Sequence, residues 1–536
     1  MTVPTTRRRA GTVRPRALGT WLRVAVTAGM LCGCVLTVGC RVNENDVHRW
    51  ESTERGPEKL VAVVEHDKYA YPLRTEAALS LIRMRPRSGR RIGIELLMSS
   101  LTEISPDSRQ KIVDGMTPEL VHQMQPGAPP KTDQNIVPPD PTVPFKDAAF
   151  AMLQHEPPLV SNEQSKAALA AALTDWVQKD FEVRLENPAQ QFGIEQMMRF
   201  LGSSSVKGLP LLITETSTKI DRICGLVADL GDDATKLATS QALVVLAKKI
   251  DSQAWIDKET PIVKDADDRS NQKVTPDQLK AQITKFQDQE LTKVFSSMKR
   301  LGGRPAVDYL MLYSSDAKNP PDRRKVALAA LEGRVDKNNA ADVERIFAIA
   351  KDDSTPDEVR DLAFQRLGEL PKDQVVPKLY TLFQNKKWKV RWVAANNVLK
   401  SITPKQVPEF FNRLPTTKMA LSEPLTYGGS IAAMTPVAGE PKPRDLLISH
   451  LNSPQIGAKL TALGSFYQGK KADISVVDSK AGDTTPVPKC DPSDDCGWTC
   501  DVPKPGVADK NDKESKTIVT VGDFAKYCIE PSMVTP

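Results

Sequence analysis

At 536 residues the chain is long enough for several ordinary domains or for one extended solenoid, and either buries ample apolar surface. Its formal charge of +6 is concentrated at one end: residues 1–40 hold six arginines, no lysine and no acidic residue, which leaves 67 basic and 67 acidic side chains in the remainder. A neutral body lacks the basic field that phosphate neutralisation requires and so argues against nucleic acid as a partner, while 5% aromatic residues and recurrent proline argue against a densely packed α/β enzyme.

Arg7, Arg8, Arg9, Arg14, Arg16 and Arg23 form a charged leader segment, and Val24 to Val38 is an uninterrupted run of apolar and small residues with the length of an export-signal core. The run is too short to span a bilayer. It closes on Leu36-Thr37-Val38-Gly39-Cys40, which resembles the lipobox of bacterial lipoproteins, where the cysteine thiol takes the lipid and becomes the first mature residue. The leucine stands four rather than three residues before Cys40, and Leu31-Cys32-Gly33-Cys34 is a rival with better leucine spacing. Cys40 is favoured because anchoring at Cys34 would leave Val35 to Val38 exposed beside the lipid. The resemblance implies a palmitate-type lipid anchor in the cell envelope, facing the periplasm, with Arg41 in place of an inner-membrane aspartate pointing to the outer membrane or cell surface.

From about Pro57 the pattern is of short amphipathic helices, broken every 10 to 20 residues by Pro, Gly, Asn or Asp. Thr275-Pro276-Asp277-Gln278, Thr355-Pro356-Asp357-Glu358 and Thr403-Pro404-Lys405-Gln406 each place Thr at a helix N-cap, Pro at the first helical position and Glu or Gln at the third. Ser105-Pro106 and Thr117-Pro118 are weaker helix starts of the same kind. Arginine followed three residues later by alanine then recurs: Arg74 and Ala77, Arg324 and Ala327, Arg360 and Ala363, Arg391 and Ala394. Ala327, Ala363 and Ala394 are 36 and 31 residues apart, the length of a two-helix repeat.

This pattern resembles HEAT repeats, in which a small residue lets paired helices approach and an arginine lies between successive repeats. The resemblance is strongest over residues 305–414, clear over 57–85 and extends to 203–250, where Ala238 and Ala242 are the candidate alanines. It implies a mainly α fold, a HEAT-like solenoid of paired helices. The resulting organisation is a signal peptide over 1–40, HEAT-like helices over 41–124, a Pro-rich linker over 125–144, a helical HEAT-like region over 145–257, a polar loop over 258–274, HEAT-like repeats over 275–471 and a small irregular module over 472–536.

That last module is acidic, with twelve acidic and seven basic residues from Ala472 onward, and holds Cys490, Cys496, Cys500 and Cys528. Ile474–Val477 and Thr517–Val521 are candidate short strands, and Val521–Cys528 a final short helix. The cysteines follow an export signal, are separated by five, three and 27 residues without a Cys-x-x-Cys knuckle, and lie among Asp491, Asp494, Asp495 and Asp501, which oppose thiolates. Two disulfides are therefore expected rather than zinc. Spacing does not choose among the three connectivities, but one bridge must tie Cys528 back to the earlier cluster.

Signals for catalysis are absent elsewhere. His48, His66, His122, His155 and His450 are dispersed, with no His-Glu-x-x-His pair, and no nucleophile elbow or dinucleotide turn occurs. Gly464-Ser465-Phe466-Tyr467-Gln468-Gly469-Lys470-Lys471 follows P-loop spacing but ends in Lys where magnesium needs Ser or Thr, so Gly464 and Gly469 are read as helix-end and turn residues and no nucleotide is expected. Arg83, Arg85, Arg87, Arg90 and Arg91 concentrate five guanidinium forks and are the candidate surface for an acidic partner, with a solvated interhelix turn as the alternative. The cluster Lys386, Lys387, Trp388, Lys389, Arg391 and Trp392 reads as packing between repeats, and Cys224 as a buried thiol. The expectation is a lipid-anchored scaffold that binds an envelope protein or peptide, with no catalysis, metal or cofactor. A second reading puts an enzymatic, accessory or metal-binding site in the C-terminal cysteine module.

Overall fold

A computed structural model describes residues 42–87, 89–134, 136–187, 190–269, 274–488, 496–503 and 513–533. Cys40, with the whole signal segment, and Cys490 lie outside them. In chain order the helices are α1 Glu44–Trp50, α2 Gly56–Glu65, α3 Tyr71–Arg83, α4 Ile92–Glu103, α5 Pro106–Met124, α6 Val143–Gln154, α7 Glu163–Lys179, α8 Phe181–Leu185, α9 Ile194–Leu201, α10 Ile220–Leu230, α11 Asp233–Ile250 and α12 Gln253–Arg269. They continue as α13 Pro276–Leu301, α14 Arg304–Ser315, α15 Pro321–Ala330, α16 Ala340–Lys351, α17 Asp357–Gly368, α18 Lys372–Tyr380, α19 Trp388–Leu399, α20 Val407–Arg413, α21 Ser422–Ala432, α22 Pro443–His450, α23 Ile456–Gly464 and α24 Ile474–Asp478.

The helices stack as two parallel ladders. In the N-terminal part α1, α3, α5 and α7 pack in succession, backed by α2, α4 and α6; in the C-terminal part α10, α13, α15, α17, α19, α21 and α23 form one ladder, backed by α11, α14, α16 and α18. Each helix touches its pair-mate and its neighbours along the ladder, which is the arrangement of a helical-repeat solenoid. The core between the layers is continuous from Val47 to Met533.

The arginine and alanine pattern explains how the pairs close. Ala77, Ala327, Ala363 and Ala394 have no solvent exposure, so the small side chain sets the approach of the helices. Each arginine is buried one turn earlier and donates to carbonyls at the end of the preceding helix or in the turn that follows it: Arg74 Nε to Val64 O (2.8 Å), Arg324 Nε to Ser314 O (2.8 Å), Arg360 Nη2 to Asp352 O (3.0 Å) and Thr355 O (2.7 Å), and Arg391 Nη1 to Asn385 O (2.7 Å). Helix ends leave carbonyls without intrahelical partners and carry partial negative charge, so a cation there satisfies both needs.

Several local expectations are corrected. The stretch 258–274, read as a polar loop, is helical as far as Arg269: Trp255 is buried with its ring tilted at 5.4 Å from the Phe286 ring, and together with the half-buried Ile256 it anchors a largely polar helix. Thr275 forms the expected capping box with Gln278, and Thr403 does so at the head of a short 3-10 turn. Thr355 does not cap α17; it is buried, with its carbonyl committed to Arg360. Thr117-Pro118 lies inside α5 rather than at a start, and Thr117 Oγ1 donates to Val113 O at 2.8 Å within the helix. Ile474 to Val477 is the helix α24, not a strand.

From Gln125 to Thr142 no described residue is helical, as the prolines require, but the segment is tied down rather than loose: Ala128 N donates to Asp180 Oδ2 (2.8 Å), Arg184 to Pro126 O (2.8 Å), and Lys131 pairs with Glu186 (2.8 Å). The C-terminal module has two antiparallel strands, β1 Thr499–Pro503 and β2 Lys513–Thr517, paired Thr499 to Thr517, so the strand ends where one was expected to begin. A final helical turn over Val521–Asp523 runs into a π-helical turn over Phe524–Ile529. The bond Cys500–Cys528 ties that turn to β1, with 5.5 Å between Cα atoms, and Cys496 is disulfide-bonded as well. Trp498 Nε1 donates to Met419 O (2.7 Å) and the indole packs edge-on to Phe524, seating the module on the last helices of the ladder.

Candidate functional site

A cleft of about 650 Å³ opens where the segment Thr214–Lys219 and the start of α10 meet the C-terminal half of α13. The segment is held from three sides. Thr218 donates through its backbone N and its hydroxyl to Glu182 Oε2 on α8 (3.1 and 3.0 Å), Ser217 Oγ accepts from Thr214 N (3.0 Å), and Glu215 receives Lys249 (3.0 Å) from α11 and Lys258 (3.2 Å) from α12. Burial works against the charge of Glu215, but the two lysines outweigh it and hold the carboxyl below the ordinary glutamate value. The helix α12, unexpected from its composition, is thus part of what fixes the cleft wall.

The opposite wall is one face of α13, with Phe286, Glu290, Lys293, Ser296 and Arg300 at helical spacing. Arg300 lies across α10: its Nη1 donates to Asp221 O (3.3 Å), and a Cβ on Gly225 would come within 2.3 Å of the guanidinium, so glycine is what admits it. Beneath it Cys224 is fully buried. Desolvation pushes its thiol up to about 12 despite Ser297 and Arg300, which makes it inert as a nucleophile at neutral pH. The cleft presents hydroxyls, both signs of charge and the Phe286 ring on an elongated helix face. That mixture suits hydrogen bonding along an extended polypeptide better than attack on a single reactive atom.

The arginine run is divided by the structure. Arg83 pairs with Glu51 (3.0 Å) and Glu76, Arg87 donates to Thr53 O (2.7 Å) and Glu54 O (2.9 Å), Arg90 pairs with Glu95 (2.9 Å), and Arg91, largely buried, stands 3.8 Å from Asp147. Arg85 is exposed. The run therefore connects helices α1 to α6 instead of forming one open patch. Within the cluster at 386–392, Arg391 and Trp392 pack between repeats, as the sequence suggested: Arg391 meets the buried Glu423 (2.8 Å) and Trp392 Nε1 donates to Thr426 (3.2 Å), whereas Lys386 and Lys389 are exposed, Lys386 pairing with Asp353 (3.2 Å). Gly464 ends α23, where a Cβ would meet Pro424 O at 2.4 Å, and Gly469 closes the turn after it, so this stretch is a helix end and turn.

Sequence reasoning missed the cleft. Its walls come from residues about 80 positions apart, and the signal that existed, Gly225 in an otherwise bulky apolar helix, marks the close approach of Arg300 only once α13 is known to lie there.

No protein-family model matches the chain, and no curated protein matches it. Among solved structures it is similar to the crystal structure of Kap121p bound to Ste12p, at 13% identity and a TM-score of 0.22, over 82% of this chain and 40% of that one. A second match is the karyopherin Kap121p bound to the extreme C-terminus of the protein phosphatase Cdc14p, at 13% identity and a TM-score of 0.21, over 82% of this chain and 48% of that one. The chain thus spans less than half the length of these matches. Among the described residues no helix is long and apolar enough to cross a membrane.

Proposed function

We propose that this protein is a non-catalytic scaffold of the bacterial cell envelope, held to the membrane by lipid on Cys40 and binding a protein or peptide along its helical ladder. The cleft against α13 carries the reading: it is lined by hydroxyls and by side chains of both charges along one face of the helix, and braced by salt bridges that fix its shape before a partner arrives. Preformed walls reduce the ordering cost of association. The N-terminal arginines, the short apolar run and Gly39-Cys40 supply the address.

The test is recovery of partners from detergent-solubilised envelope with the parent chain and with Lys293→Glu combined with Ser296→Arg, both exposed positions on the cleft wall. A polypeptide captured by the parent and lost from the variant is the expected result; an identical set of captured proteins overturns the assignment to this cleft. Separately, Cys40→Ser should abolish lipid labelling, and labelling that persists moves the anchor to Cys34 or elsewhere.

A further inference from the structure

At the N-terminal end of the ladder, far in sequence from the cleft, α1 and α3 bring together Glu44, His48 and Glu76. Glu44 and His48 stand one helical turn apart and share a face of α1. Glu76 comes from the middle of α3. His48 Nε2 lies 3.8 Å from Glu44 Oε1 and 3.5 Å from Glu76 Oε1, and one donor atom from each of the three falls within 4.8 Å of the others. Two donors bound to tetrahedral zinc at its usual nitrogen and oxygen distances stand roughly 3.4 Å apart. The His48–Glu76 separation already meets that geometry through Glu76 Oε1, an atom that also accepts from Arg83 and would be shared between the guanidinium and the metal, and Glu44, whose side chain is 71% exposed, has room to close the remainder.

Two further features favour a cation here. The other ring nitrogen of His48, Nδ1, stands 3.4 Å from Glu51 Oε1. In the tautomer with the proton on Nδ1, His48 donates to that carboxylate and its Nε2 lone pair faces the two glutamates, as metal-bound histidines require. Glu51 is itself fixed by Ser80 Oγ (2.7 Å) and Arg83 Nε (3.0 Å). The charges also balance: Glu44, Glu51 and Glu76 against Arg83 leave a net charge of −2 when His48 is neutral, which one divalent ion cancels. An imidazole beside two carboxylates selects zinc over calcium or magnesium, which prefer all-oxygen shells.

We propose that Glu44, His48 and Glu76 form a zinc site that fastens α1 to α3, with water completing the coordination. It is independent of partner binding at the cleft. Calorimetric titration of the metal-stripped full chain with zinc chloride should show one site that is weakened at least tenfold by His48→Gln and by Glu44→Gln, and hydrogen exchange along α1 should slow when zinc is added to the parent. Both side chains are substantially exposed, so the variants should keep the parent's circular dichroism; if His48→Gln does not, Glu44→Gln alone carries the comparison. Absence of zinc uptake by the parent, or uptake of equal affinity in Glu44→Gln, overturns the site.

Discussion

A buried guanidinium is costly wherever its donors go unused, and the repeat arginines meet that demand to different degrees: Arg74 Nη2 and Arg360 Nε are buried without a hydrogen-bond partner, whereas other donors of both residues are used. Arg391 is the fullest case: two carbonyls at the end of the preceding turn and both oxygens of Glu423 receive it, while Glu423 also accepts from Ala420 N (2.6 Å) and Tyr427 Oη (3.1 Å). Removing one partner strands the other in a low-dielectric interior, so Glu423→Ala should cost about 3–5 kcal/mol, read as a lower urea midpoint at unchanged slope. The alanines test the packing half of the device. Ala363→Leu should overpack the pair and cost about 1–3 kcal/mol, whereas Gln365→Leu, two residues on at an exposed position, should be nearly neutral. Equal melting temperatures for Ala363→Leu and the parent would remove the argument that this alanine sets the helix approach. Both residue types were legible because they recur at a fixed offset. Their hydrogen-bond partners were not, since these are backbone carbonyls, which every sequence supplies equally.

Elements differ in how much of themselves the sequence displays. The long helix α13 announces its start through Thr275 and Gln278, and a glycine pair with positive φ, Gly302 and Gly303, ends it. By contrast α12 was hidden because only Trp255 is buried, so its polar surface has the composition of a loop. Trp255→Ala should therefore unravel α12 selectively, and hydrogen exchange should rise over 253–269 while α13 stays protected. The His48 group was hidden for another reason: a search for paired histidines passes over a lone histidine whose third companion comes from a different helix. The approach to the C-terminal module hangs on Asp483, which receives Lys459 Nζ (3.0 Å) from α23 and Thr485 N (2.9 Å), while its own backbone carbonyl accepts from Gly522 N (2.8 Å). Burial opposes its charge, but Thr485 and Lys459 outweigh that and bring its carboxyl down to about 2. A folded value below the unfolded one gives stability that is present above the usual carboxylate range and is lost as pH falls toward 2. The contribution is about 2 kcal/mol, and in Asp483→Asn the loss of module stability between pH 4 and pH 2 should shrink by that amount.

For the molecule as a whole, the two-layer plan was legible from helical periodicity and the 36- and 31-residue alanine spacing, because each repeat must bury the same stripe. Which helix faces which across the Pro-rich segment was not, since Asp180, Arg184 and Glu186 fix that segment through backbone and ion-pair contacts that no periodicity encodes. Among the described residues, contacts along each ladder run chiefly to the next helix, so cohesion there is passed from neighbour to neighbour. Such a stack has the mechanics of a chain of springs in series. Pulled between the start of α1 and the last ladder helix, it should yield in steps rather than in one rupture, each released pair of the 36-residue spacing adding roughly 120 Å of contour length. Optical-trap extension of the full chain would register those steps, and a single all-or-none event would contradict neighbour-by-neighbour cohesion. Were it anchored to a membrane at one end, as proposed, a protein built this way would bear load by lengthening in increments while its remaining repeats stayed folded.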